Sequence, residues 1–152
     1  MNLWKYYDGD LKYPNLDKHS TSEIEIAKTN PKWAFEYAKA NIWEYRYTND
    51  NKKEELKLLI AKELEPLIAT DTYLSFFYAS AVTHERFKLG EKAIAKDAYY
   101  SYLYAEEVLR RKPFPLGEPI IAKSEKYAKK YTQSILFKDF YLDGKLICKY
   151  EE

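Results

Sequence analysis

From Asn30 onward the apolar positions of this chain recur with a helical period, and they do so four times from an equivalent starting point. Each series begins at a residue whose short polar side chain suits a helix N-cap: Asn30, Asp71, Asp97 and Ser124. Four residues on, the side chain is small (Ala34, Ser75, Ser101, Ala128). Seven on, it is tyrosine (Tyr37, Tyr78, Tyr104, Tyr131), and eight on it is small again (Ala38, Ala79, Ala105, Thr132). Eleven on, it is mostly aliphatic: Asn41, Val82, Val108, Ile135. At about 100° per residue these positions fall on one stripe of a helix. Small residues a turn apart let a neighbouring helix approach closely, and the tyrosine fills the groove beside them. This is a packing pattern, and it predicts helices of about thirteen residues after each cap.

The caps are 41, 26 and 27 residues apart. The long first interval holds an insertion, 51–64, that reads as an amphipathic helix. The two central series end alike, in Phe87-Lys88-Leu89-Gly90-Glu91 and Phe114-Pro115-Leu116-Gly117-Glu118. Glycine there predicts a left-handed helix stop. The glutamate predicts the start of a short helix whose dipole favours negative charge, and Glu65 holds the same place earlier. One unit is then a short helix, a tight turn and a longer helix. No such unit buries its stripe alone, so the units must stack. The expected fold is all-α: stacked helix-turn-helix repeats, a short solenoid-like array of about four units in a single domain, 1–152. The repeats fall near 24–48, 65–89, 91–115 and 118–142.

The ends are less regular. Residues 1–19 lack a helical period, and Trp4, Tyr6, Tyr7 and Tyr13 are expected to fold over the first repeat as a cap. Ser20-Thr21-Ser22-Glu23 has capping-box spacing before a short helix to about Lys28, and Asn30-Pro31 starts the longer one. Phe140 to Cys148 reads either as a last short helix from Lys145, which the repeat register favours, or as a hairpin around Asp143-Gly144.

Composition narrows the classes of function. With 25 basic and 24 acidic residues, the chain lacks the charge of a general nucleic-acid or anionic-membrane binder. No apolar run is long enough to span a bilayer, and the N-terminal residues do not read as a signal peptide. The lone Cys148 permits no internal disulfide, so a cytoplasmic location is expected. His19, His84 and Cys148 lie far apart with no metal-ligand spacing, and the isolated glycines form no phosphate loop. No catalytic residue, metal ligand or cofactor is assigned.

The units Asp97 to Ala122 and Asp71 to Ala95 resemble a short repeat in uncharacterised proteins of tailed bacteriophages and some large DNA viruses. Its usual form is D-P-x-x-A-Y-x-Y-A-x-x-V-[IL]-K-G-R-[FW]-P-x-[GA]-E-x-x-I. Arg86-Phe87 keeps the basic-aromatic pair, Pro113-Phe114-Pro115 keeps the aromatic and proline, and Asn30 to Ala38 matches the helical half. The likeness covers about 24–145. It departs at the insertion, at the lost Gly-Arg pair of the third copy and in the degraded fourth. It implies architecture and a viral source acting on host machinery, and it implies no catalytic residue.

The surplus is aromatic: the chain has 16 tyrosines. Off the packing stripe, two, five and six residues after the central caps, stand Tyr73, Phe76, Phe77, Tyr99, Tyr102 and Leu103. The equivalent positions of the outer copies are more polar, ending in Lys126, Lys129 and Lys130. Central helices buried on two sides would account for the difference, as would a ring-rich contact face. Arg86, Arg110, Arg111 and Lys112 would supply a basic rim, or are ordinary cations near helix ends. The expected function is a non-enzymatic protein–protein interaction module, virus-encoded and acting on a host protein, as an anti-defence or host-takeover factor. The alternative is a nucleotide or single-stranded nucleic-acid binder that stacks bases on tyrosines. A short array with surplus rings also admits a homo-oligomer paired through that face.

Overall fold

The computed structural model describes residues 21–44 and 51–151. It is mostly helical, with one small two-stranded sheet near the C-terminus. The chain divides into two compact units, Met1–Ile68 and Ala69–Glu152. The aromatic cap expected from Trp4, Tyr6, Tyr7 and Tyr13, the Ser20 end of the capping box, and 45–48 of the first repeat lie outside the described residues.

In the first unit, α1 (Thr21–Ala27) and the helix α2 (Pro31–Glu44) flank Asn30. The Asn30 side chain accepts the Trp33 N–H at 3.0 Å, satisfying one orphan donor of the first turn. α3 (Asn51–Leu59) fills the predicted insertion. It continues through a π-helical turn, Ile60–Leu64, into α4 (Glu65–Ile68). α2 packs against α1 and α4. Ala34, Tyr37, Ala38, Ile60, Leu64 and Ile68 are buried. Lys28, just past α1, pairs with Glu63 of the π-helical turn at 3.2 Å.

The second unit begins with α5 (Thr72–Phe77). Asp71, in extended conformation, accepts the Leu74 N–H at 2.8 Å. Asp97 does the same for α7 (Ala98–Leu103), accepting Tyr100 N–H at 2.9 Å. Ser124 is extended before α9 (Glu125–Tyr131) but makes no side-chain cap bond. Each helix widens at its C-terminal end into a π-helical turn: Tyr78–Thr83, Tyr104–Val108 and Thr132–Leu136. The short helices are α6 (Glu91–Ile94), entered through a 3₁₀ turn at Lys88–Gly90, and α8 (Glu118–Ile121). α5 packs on α6 and α7, and α7 packs on α8 and α9. The predicted stripe is inside: Ser75, Tyr78, Ala79, Ser101, Tyr104, Ala105, Ala128, Tyr131 and Thr132 are all buried.

Two expectations are corrected. Gly90 and Gly117 are not left-handed stops; their φ values are −83° and −88°. The left-handed residues that end the π-helical turns are His84, Arg110, Arg111 and Phe137. Glycine is required for space instead. A Cβ on Gly90 would lie 2.5 Å from the Phe87 ring and 2.7 Å from Ser75 Cβ. On Gly117 it would lie 2.5 Å from the Phe114 ring and 2.8 Å from Ser101 Cβ. The small residue after each of the two central caps, Ser75 and Ser101, is therefore the seat of the glycine that follows. The second correction is the C-terminus, where the helix from Lys145 gives way to a hairpin, β1 (Phe140–Leu142) and β2 (Lys145–Cys148). Asp143 and Gly144 have φ of 51° and 76°, the two positive values that a tight two-residue hairpin turn needs. Phe140 is buried, with its ring 5.5 Å from that of Tyr131.

Candidate functional site

The turns following α5 and α7 are fastened in the same way. The Tyr104 hydroxyl accepts the Phe87 N–H at 3.0 Å and donates to Glu91 at 3.2 Å. The Tyr131 hydroxyl accepts the Phe114 N–H at 2.7 Å and donates to Glu118 at 2.9 Å. The stripe tyrosine thus packs with its ring and bonds with its hydroxyl. Burial, reinforced by the neighbouring glutamate, pushes both phenols well above the ordinary tyrosine range. Both glutamates open a short helix, as predicted, but their carboxylates go to a phenol rather than acting on the dipole alone.

The surface of the second unit carries a continuous band of rings across α5, α7 and α9. The caps at Asp71 and Asp97 set its helical register. On α5, Tyr73 lies 4.4 Å from Phe77, one turn on, and Phe76 lies 5.2 Å from Phe77. Tyr100 of α7 meets Tyr73 edge-on at 6.1 Å and Phe76 at 5.4 Å. Tyr99 sits 5.1 Å from Tyr100 and 5.6 Å from Tyr127 of α9. Tyr127 and Tyr102 stack at 6.2 Å. At this end two ammonium groups stand over rings, Lys126 over Tyr127 at 5.1 Å and Lys130 over Tyr102 at 5.6 Å. Ring pairs at such separations attract beyond their buried area, so the band is held as one surface.

Exposure divides the band into contact and support. Tyr73 is 50% exposed and Tyr99 43%, whereas Phe76 and Tyr102 are buried at 3% and 6%. Phe77, Tyr100, Leu103 and Tyr127 are half-buried. Of the six ring and leucine candidates named from sequence, Tyr73 and Tyr99 therefore face solvent most, while Phe76 and Tyr102 hold the others from below. Burial pushes the Tyr100 phenol up, helped by Tyr73, Tyr99, Asp97 and Asp71. Burial also raises Tyr102, aided by a hydrogen bond to Glu106 and opposed by Ser134 and Arg111.

The four basic candidates do not share one role. Arg86 is held by Glu91 through two hydrogen bonds, at 2.6 and 3.1 Å. Arg110, Arg111 and Lys112 are exposed, and none makes an ion pair with another described residue. Arg110 and Arg111 are both left-handed, with φ of 56° and 58°, and the Arg111 N–H donates to Ala105 O at 2.9 Å. Of the four, Arg111 is the one whose charge reaches a band phenol, Tyr102.

Sequence reasoning missed Tyr100 and Tyr127. Both lie three residues after a cap, where the other copies place Trp33 and Leu74, so a uniformly large third position was the available signal. Among the described residues no group of three His, Cys, Asp or Glu could hold a metal ion, and no helix is long and apolar enough to cross a membrane. No family model, no curated protein and no solved structure matches the chain.

Proposed function

We propose that the chain is a non-enzymatic module of stacked helix-turn-helix repeats that binds another protein across the aromatic band. The repeat reading is supported by the recurring caps, by the buried stripe and by the phenol-fastened turns. The binding reading rests on one observation: Tyr73 and Tyr99 stay about half exposed while joined to a fixed row of rings. Tyrosine offers a large amphipathic contact with few rotamers to freeze, which favours it in binding surfaces. The sequence resemblance adds the kind of partner, a protein of the infected cell. The test compares the parent with Tyr73→Ala/Tyr99→Ala for partner capture from a bacterial lysate, with folding checked by circular dichroism. Loss of a saturable partner in the folded variant is expected. Retention of that partner, or no partner on the parent, overturns the reading. A parent that pairs only with itself, and a variant that does not, would make the partner a second copy.

A second reading, binding of a nucleotide or single strand, is favoured by Lys126 and Lys130 standing over Tyr127 and Tyr102. It requires binding to short oligonucleotides that weakens steeply with salt. Salt-insensitive binding, or none, rejects it.

A further inference from the structure

The two phenol-fastened turns differ in one cation. In the first, Glu91 accepts from Tyr104 and also holds Arg86, five residues before it, with Nε at 2.6 Å from Oε1 and Nη2 at 3.1 Å from Oε2. In the second, Glu118 accepts from Tyr131 on Oε1, and the residue five before it is Pro113. Among the described residues no cation lies within 4.0 Å of Glu118. Pro113 and Glu118 instead line a cleft of about 870 Å³, walled by Ile135, Lys138, Asp139 and Phe140 among others.

We propose that this cleft receives an arginine side chain of a partner protein, with its guanidinium on Glu118 as that of Arg86 lies on Glu91. The chain itself displays the bound geometry one copy earlier, so the recognition chemistry is already on the molecule. The Glu118 carboxylate is half-buried and held in place by Tyr131. A charged hydrogen bond gains strength away from bulk water. Pro113, Leu136 and Tyr141, over the buried Ile135 and Phe140, offer apolar surface to the methylene stem that precedes a guanidinium. Lys138 and Asp139 are adjacent and opposite in charge, so Glu118 sets the sign of the cleft. A planar fork matches a carboxylate with two parallel bonds, which an ammonium cannot do. The site is separate from the ring band and does not depend on it.

The probe is Nα-acetyl-arginine methylamide, titrated into the full chain and followed by backbone amide shifts, with the lysine and citrulline analogues in parallel. Saturable shifts at Glu118, Ile135 and Phe140 are expected for the arginine probe, with binding at least tenfold weaker for the other two. Glu118→Gln keeps an acceptor for Tyr131 and is expected to weaken binding at least tenfold. Pro113→Arg supplies the guanidinium from the chain itself and is expected to block the probe. Tyr73→Ala/Tyr99→Ala leaves it unchanged. The proposal is overturned by the absence of saturable shifts, by equal binding of citrulline, or by undiminished binding to either cleft variant.

Discussion

Replacing Tyr104 by Phe removes one oxygen from the core and leaves the ring in place. That oxygen accepts the Phe87 N–H at 3.0 Å and donates to Glu91 at 3.2 Å. Phe87 is 6% exposed, so water does not replace the lost acceptor. A buried donor left without a partner costs about 1–3 kcal/mol. Glu91 keeps both bonds from Arg86, so its share of the loss is smaller, on the order of 0.5 kcal/mol. The phenol no longer has to leave water on folding, which offsets part of this. The expected net loss is about 2 kcal/mol. Tyr131→Phe removes shorter bonds, one of 2.7 Å from the Phe114 N–H and one of 2.9 Å to Glu118, which makes no ion pair with another described residue, so its loss should be at least as large. Urea unfolding followed by far-ultraviolet circular dichroism measures both. The midpoints should fall with the slope unchanged, because no surface is newly exposed in the folded state. Tyr141→Phe, at a side chain 55% exposed, is the control and should stay within about 0.5 kcal/mol of the parent. The reasoning is refuted if Tyr104→Phe and Tyr131→Phe behave like that control.

Three further outcomes are expected. Gly90→Ala and Gly117→Ala should each destabilise by about 1–3 kcal/mol, because the new methyl meets a buried phenylalanine ring at 2.5 Å; a parent-like urea midpoint would deny the close seat. Alkaline unfolding should begin above pH 10, because the raised phenols of Tyr104 and Tyr131 contribute stability that is complete below the unfolded-state value of 10.0 and is lost as pH rises toward the folded value. The Tyr104→Phe/Tyr131→Phe variant should show a flatter decline, read by stability against pH. Glu36 is buried, and burial raises its carboxyl above the ordinary range despite Lys39 and Lys32. Its contribution is therefore greatest at acid pH and lost as pH rises, so Glu36→Gln should raise the urea midpoint at pH 7 and not at pH 3.

What was legible in the sequence was what local chemistry decides. Asn30, Asp71 and Asp97 announce helix starts because a short acceptor beside a free N–H is a contact within three residues. The buried stripe was legible because period alone fixes which side chains share a face. The glycines were misread because their reason is a close approach to Ser75 and Ser101, fifteen and sixteen residues away, which no local rule contains. The phenol contacts span seventeen and thirteen residues and were invisible for the same cause. At the C-terminus two local rules competed. The left-handed Asp143-Gly144 pair prevailed because it closes a hairpin that also buries Phe140. In the ring band, Tyr73 and Tyr99 were found by position off the stripe, whereas Tyr100 and Tyr127 sit at its edge and take part through neighbours on other helices.

The phenol fastening gives the chain a direction of closure. Phe87 and Phe114 each await an oxygen that lies seventeen residues downstream, so during synthesis a loop emerges before its latch does. Trimming from the C-terminal end past Tyr131 therefore unlatches the Phe114 loop while that loop is still present, whereas trimming from the other end removes each loop before its latch.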